Sequence, residues 1–297
     1  MFRPVLFSLL PVLMPLLPAA ELTVATFNIR METRGDLGTR NWNARKDLVV
    51  ETIRKMNPDL LGVQEALPRQ MDYLAGKLPD YERYGVGRDD GKNRGEYSAL
   101  FVRKERLERD PEEGGTFWLS ATPEKAGSKT WGNQVTRICT WARLVDRRTG
   151  KGLYFYNTHW DHQSQPSREQ AGRLMAERID SRKRPGEPVV LTGDFNATET
   201  NPGVAYLLGR KVELAGGKAP DQWKNPLRAP FFELHPKDRN RNTFNRWKGV
   251  IPGSRMIDHV LVSPGWEIRK AWIEHHMRGK MVPSDHWPVA AVIALAK

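Results

Sequence analysis

Apolar and polar positions follow two rhythms along this chain. One is the short apolar or alternating run of a strand, at 21–29, 59–65, 97–103, 138–145, 153–159, 189–191, 257–263 and 289–295. The other is helical. Over 43–56, Leu48, Val49, Ile53 and Met56 share one face, and Asn57 with Pro58 stops the run. Over 67–78, Met71, Leu74 and Leu78 turn inward; over 167–182, Ala171, Leu174, Met175, Ala176 and Ile179 do so, with Ser167 and Gln170 resembling a capping box. Residues 85–95 read as a glycine-rich charged loop and 109–133, which hold no sustained period, as a long loop with short ordered pieces. Residues 199–253 are less regular, rich in Pro, Gly, Lys and Arg. Many short strands with helices interposed at three places predict one α/β (α+β) domain over 21–297.

Residues 1–20 break this pattern. A single positive charge at Arg3, a Leu-rich run and small residues at Ala19 and Ala20 outline a secretory leader cleaved after Ala20, so a secreted or periplasmic protein is expected. Prolines at 11, 15 and 18 interrupt the run, which is near the lower limit for spanning a bilayer, and argue against a retained anchor. No stable membrane insertion is expected after cleavage. The lone cysteine, Cys139, permits no internal disulfide and sits among apolar neighbours as a buried structural residue. A formal charge of +12 favours polyanionic or phosphorylated partners without choosing among them. Nothing in the pattern calls for an oligomer, and a monomer is expected.

Chemistry enters at the strand ends. The run PVVLTGDFNAT (188–198) delivers Asp194 and Asn196 where its strand stops, and other strands bring Asn28, Glu65, His159 and Asp258. Packing alone does not produce that recurrence. With Glu96, Arg137, Asp285 and His286 added, the set holds several oxygen donors, two histidines and an arginine, with no cysteine cluster. Oxygen donors suit a hard cation, Mg²⁺ or Mn²⁺, which keeps open positions for phosphate oxygens. Phosphoester hydrolysis is the chemistry this implies.

The ordered motifs TFNIR (26–30), QE (64–65), GEYSALFVR (95–103), NTH (157–159), GDFN (193–196), ID (257–258) and SDHWPV (284–289) resemble the endonuclease/exonuclease/phosphatase family, the DNase I-like superfamily, and most of all its secreted bacterial members. The resemblance runs over nearly the whole chain after the leader. It implies a four-layer α/β/β/α sandwich of two mixed sheets with the active site at one end. It also implies Glu65 as principal metal ligand assisted by Asn28 and Asp285, Asp194 as the residue that orients or deprotonates water, and Asn196 on the scissile phosphate. His286, steadied by Asp258 or Asp285, and His159, steadied by Glu96, would supply acid/base catalysis or stabilise the pentacovalent phosphorus. Arg137 would bind phosphate, as a planar guanidinium suits two phosphate oxygens. His159, His286 and Asp194 all remain candidates for the general base, and Trp160, Asp161 and His162 extend the strand end as supporting residues.

The sequence favours a phosphodiester over a monoester. A nuclease comes first, because residues 235–249 interleave Phe244 and Trp247 with Arg239, Arg241, Arg246 and Lys248. A phospholipid or sphingomyelin diesterase comes second, and an inositol-type phosphatase is a further alternative, since the Trp-rich stretch 116–137 would equally wall a small pocket. A non-catalytic binding module would have lost a carboxylate or histidine of the set, and none is missing.

Overall fold

Four central strands share one design. In the computed structural model, which describes residues 21–217 and 219–296, each passes from apolar to small or polar to a polar or ionisable side chain along a single face. The series are Val24–Thr26–Asn28 in β1 (Glu21–Asn28), Leu60–Gly62–Gln64 in β2 (Leu60–Ala66), Phe155–Asn157–His159 in β7 (Gly152–His159) and Val190–Thr192–Asp194 in β8 (Val189–Asp194). Because side chains alternate along a strand, these residues face one way and Phe27, Val63, Tyr156 and Leu191 face the other. The second set packs beneath helices and is equally buried. That is why these strands read as nearly continuous apolar runs.

The remaining elements are α1 (Trp42–Met56), α2 (Pro68–Lys77), β3 (Tyr81–Tyr84), β4 (Tyr97–Arg103), β5 (Leu107–Trp118), β6 (Ile138–Asp146), α3 (Gln165–Asp180), α4 (Pro202–Leu207), α5 (Pro230–Leu234), β9 (Asp258–Val262), β10 (Trp266–Ile273) and β11 (Val289–Leu295). Six strands form one sheet in the order β10-β11-β1-β2-β4-β3 and five form the other, β5-β6-β7-β8-β9. Each sheet has one parallel pair, β1 with β2 and β7 with β8, and each pair is joined through a helix, α1 or α3. Helical crossovers of this kind place both strand ends at the same edge. The sheets meet over Leu22, Val24, Leu60, Leu144, Phe155, Val190, Val260 and Ile293. Helices α1 and α2 cover one outer face and α3 the other, giving the expected four layers.

A polar band crosses the sheets just below the catalytic edge. Gln64 Nε2 and Thr192 Oγ1 both donate to Asn157 Oδ1 (2.6 and 3.0 Å), and Asn157 Nδ2 donates to the carbonyls of Val63 and Ala99 (3.0 and 2.9 Å). A Cβ at Gly62 would stand 2.2 Å from Thr192 Oγ1, so this close approach requires glycine. The band fixes the register of one sheet against the other.

Three expectations change. The first part of 109–133 is strand rather than loop, and 119–133 is irregular as expected: β5 runs to Trp118 and pairs with β6, with an irregularity between Arg109 and Gly114 where Pro111 offers no N–H to the ladder. The cap of α3 is Ser164, whose Oγ accepts from Ser167 N, whereas Ser167 lies within the first turn. Asp258 begins β9 instead of ending a strand, because β9 runs antiparallel to β8. The expected leader at 1–20 lies outside the described residues. No helix among the described residues is long and apolar enough to cross a membrane.

Candidate active site

Strand register assembles half of the site. Across the second sheet His159 lies opposite Asp194, and Asp194 opposite Asp258, so three ionisable side chains stand in one row. The first sheet supplies the rest by a different device. Alternation would send Glu65 to the face opposite Gln64, but the pairing of β2 with β4 slips between Gln64 and Ala66, and Glu65 takes φ 64°. This bulge turns its carboxylate toward Asn28, whose Nδ2 donates to Glu65 Oε1 (3.0 Å) and to Asp194 Oδ2 (2.8 Å). Six non-glycine residues among those described have positive φ. Asn57 caps α1, while Arg30, Glu65, Asn196, Arg246 and Trp247 surround the site, and such strain persists only where its surroundings enforce it.

The histidines approach Asp194 from opposite sides. His159 Nε2 lies 3.4 Å and His286 Nε2 3.8 Å from Asp194 Oδ2. Of the two partners expected for His286, Asp258 is the one in contact, with its oxygens 2.9 and 3.2 Å from Nδ1. Burial alone would lower this imidazole's pKa, but the charges of Asp258 and Asp194 outweigh burial and raise it well above the ordinary value. His159 is different. Glu96 Oε2 is 3.9 Å from its Nδ1, beyond hydrogen-bond reach, because Glu96 is held by Arg88 at 2.6 and 2.7 Å. Burial and the nearby Arg137 and Arg88 drive the pKa of His159 well down. Its Nε2 faces Asn196 Nδ2 at 3.1 Å, an arrangement that suits a neutral ring accepting at Nε2.

Asp194 accepts from Asn28 and from Asn196 N (2.9 Å), yet burial and the neighbouring Asp258 push its pKa up to about 7. Burial also raises Asp285, aided by Glu65. Glu65 alone goes the other way. Burial pushes it up, but the Asn28 amide, His286, Arg30 and the Met31 N–H together bring it below its usual value. This is a surplus of buried carboxylate, of the kind a cation relieves. Glu65, His159 and Asp194 place ligand atoms within 4.8 Å of one another, as do Asp194, Asp258 and His286. Asp258 is already committed to His286, so the Glu65–Asp194 side, rich in oxygen, fits a hard divalent cation better. As placed, Asn28 is a bridge between the two carboxylates, and its Oδ1 accepts from Arg30 N (2.9 Å). Asp285 belongs to neither cluster; its Oδ1 accepts from Ser284 Oγ (3.3 Å).

Arg137 is almost wholly buried. Its NH2 lies 2.9 Å from His162 Nδ1, while Nε and NH1 have no hydrogen-bond partner and the buried Asp161 Oδ2 stands 3.9 Å from Nε as a counter-charge. A buried guanidinium beside His159 with two nitrogens free of hydrogen bonds is suited to oxyanion binding. Asp161 accepts from the N–H groups of Gln163 and Ser164 and so shapes the loop carrying His162.

Arg45 is a residue the sequence pattern passed over. It lies on the buried face of α1, fully enclosed, and donates to the carbonyls of Ile29, Arg30, Arg40 and Pro283 at 2.5–3.0 Å. Ile29 and Arg30 follow Asn28 on one loop, and Pro283 precedes Ser284 to His286 on another. An arginine inside an otherwise apolar helical stripe was the available signal.

Comparison with known proteins identifies the fold and the family. The chain resembles the structure of an endonuclease/exonuclease/phosphatase from Bacteroides vulgatus (30% identity, TM-score 0.81, covering 93% of this chain and 100% of that one). It resembles the mannosyl-6-phosphatase Bt3783 of Bacteroides thetaiotaomicron to a similar extent (29%, TM-score 0.78, 92% and 100%). A curated relative, uncharacterized protein L388 of Acanthamoeba polyphaga mimivirus, is 26% identical over 168 residues, which is 53% of this chain and 60% of the relative's length. The family profile described as Endonuclease/Exonuclease/phosphatase family matches residues 25–286, most of the chain and every residue of the site from Asn28 to His286, and the protein belongs to that family of generally hydrolytic phosphoester enzymes.

Proposed function

We propose that this protein is a divalent-metal-dependent phosphoesterase whose preferred substrate is a phosphate monoester on a ring-bearing alcohol. The observation that carries the monoester reading is Arg137, a buried guanidinium with two unmet nitrogens. Together with the charged ring of His286 across Asp194, it gathers positive charge for a terminal dianionic phosphate. Similarity to a mannosyl-6-phosphatase supports the same reading. The phosphodiester reading suggested by the basic sequence at 235–249 loses some force, because the Trp247 ring lies against the buried Arg45 and serves as an anchor.

A cation held at Glu65 and Asp194, Mg²⁺ or Mn²⁺, would neutralise charge on a nonbridging phosphate oxygen. Asp194, ionised beside the cation and held by Asn28 and Asn196 N, orients the attacking water and accepts its proton. His286, kept protonated by Asp258, places positive charge on the phosphoryl oxygens as phosphorus becomes five-coordinate and gives its proton to the alcohol oxygen as the ester P–O bond breaks. His159, kept neutral, and Asn196 hold the opposite side of the water and phosphate. Following the expected leader, we assign this activity to the secreted or periplasmic space, in a monomer; fractionation and gel filtration test both.

The experiment is turnover of p-nitrophenyl phosphate against bis-p-nitrophenyl phosphate with Mg²⁺, Mn²⁺ or EDTA. The expected result is EDTA-sensitive hydrolysis, faster on the monoester, and reduced about 10³-fold or more in Asp194→Asn. A faster diester reaction would restore the diester reading, and metal-independent turnover would remove the proposal altogether.

A further inference from the structure

Next to the His286 imidazole lies a surface with no assigned role. Phe244 and His286 form a backbone bridge, and their rings stand 4.9 Å apart. The guanidinium carbons of Arg246 and Arg255 lie 5.4 and 5.7 Å from the centroid of that same phenyl ring. Both arginines are exposed, and among the described residues neither joins an ion pair. Elsewhere in this part of the chain Arg228 is paired with Glu233 and Arg241 with Glu199, while Arg239 joins no ion pair among the described residues but is not against Phe244.

The backbone holds this cluster in place at a cost. Arg246 and Trp247 occupy the left-handed region one after the other, at φ 53° and 65°, which bulky side chains rarely adopt. Fastening to the catalytic loop keeps them there. Asn245 N and Arg246 N donate to Asp285 O (2.8 and 3.2 Å), Asn245 Nδ2 donates to Ser284 O (3.0 Å), and Trp247 N donates to Asn245 Oδ1 (2.8 Å). The strained turn therefore presents Arg246 over Phe244, one ring away from the catalytic imidazole. Backbone strain of this kind is maintained where its surroundings over-determine it, typically at ligand clamps.

Both guanidinium groups lie against one ring with no counter-carboxylate, and an anion bound there supplies the missing counter-charge. Guanidinium forks match phosphate, sulfate and carboxylate oxygens, and the phenyl face accepts the apolar side of a ring. We propose that Phe244, Arg246 and Arg255 form a substrate subsite that takes a second anionic group, carried on the alcohol portion of the phosphoester whose phosphate lies at Asp194. This rests on the phosphoesterase reading above and narrows its substrate to a polyanionic small molecule.

The test uses fructose 1,6-bisphosphate and fructose 6-phosphate as probes of two and one anionic groups. Calorimetric titration in EDTA reads binding, and initial rates in Mg²⁺ read turnover, for the wild type, R246A/R255A and R246K/R255K. The wild type should bind the bisphosphate about ten-fold or more tightly than the monophosphate. R246A/R255A should lose that preference through the bisphosphate alone, and R246K/R255K should recover part of it. Equal losses on both probes, or no change on either, would overturn the subsite. Absence of Mg²⁺-dependent turnover would count against the phosphoesterase reading, while the binding ratio in EDTA still decides the subsite. Both side chains are exposed, and matching melting curves establish that the variants fold.

Discussion

His159, at the end of β7, and His286, in the loop before β11, flank the same carboxylate, and the protein gives them opposite states. His286 has Asp258 at 2.9 Å and is pushed toward the charged form. His159 has its nearest acid, Glu96, tied to Arg88 and stands beside Arg137, so it is pushed toward the neutral form. Identical side chains in equally dry surroundings thus become a fixed cation and a neutral acceptor, and what separates them is which neighbour carries the counter-charge. Asp194, between them, is left near neutrality, where a proton acceptor is most useful.

Removing each ring is the strongest test of that division. His286→Gln should lower kcat/KM on p-nitrophenyl phosphate by about 10³-fold, the range for losing preorganised charge stabilisation. His159→Gln, which keeps an acceptor and a donor, should cost about 10- to 100-fold at the low end of acid/base contributions. Equal losses from the two variants would erase the proposed asymmetry.

A milder change addresses the cause. Asp258→Asn preserves shape but removes the charge that lifts His286, so the ring loses its proton at a lower pH. If the charged ring is the active form, the alkaline limb of the pH–kcat/KM profile moves toward acid, with a loss of about 100-fold near pH 8. The corresponding Glu96→Gln should leave both limbs nearly in place, since Glu96 is spent on Arg88. A displaced limb in the Glu96 variant would show that His159 is carboxylate-supported after all.

The two histidines also illustrate what sequence can carry. His159 and Asp194 end strands buried on both faces, so apolar runs pointed straight at them. Glu65 was legible as a strand-end carboxylate, but the bulge that re-aims it depends on pairing with β4 and has no local signal. The strands that escaped notice, β3, β5 and β10, are all sheet edges, where one side meets solvent and charged residues interrupt alternation, as in LERDPEEGGTFW and WEIRKAWI. Asp258 was recognised by its motif and misplaced at a strand's end, since direction is a property of the sheet. Phe244 was visible only as an aromatic within a basic stretch, and its place beside His286 comes from a bridge across the fold.

Arg45 ties the two regions together and should matter less for chemistry than for alignment. Its donors hold the loop after Asn28 to the loop before His286. Arg45→Met would leave several buried carbonyls unmet, costing about 3 kcal/mol and several degrees in Tm. The surviving fold should show kcat lowered about ten-fold with KM little changed. Arg45→Lys, which keeps the charge but loses the fork, should recover stability more than kcat. Matched recovery of both would reduce Arg45 to a packing role and leave the histidines' alignment to other contacts.

The smallest effect is a thermodynamic copy of the same asymmetry, read without metal or substrate. His159 has a depressed folded-state pKa, so it contributes stability fully above the unfolded value of about 6.5, and that contribution is lost as pH falls below it. His286 has a raised one, so its contribution is complete below about 6.5 and is lost as pH rises through the folded value. Asp194, raised to about 7, works against His159 below neutrality, because between the ordinary carboxylate value of about 3.9 and about 7 the folded state keeps a proton that the unfolded chain has already released, so stability falls as pH rises through that window. In EDTA, then, the His159 contribution lowers Tm on the acid side and the His286 contribution lowers it on the alkaline side. His159→Gln should flatten the acid side and His286→Gln the alkaline side, each by a few degrees. Melting curves of the three proteins between pH 5 and 9 make the comparison, and flattening on the wrong side for either variant would reverse the protonation states from which the division of labour is drawn.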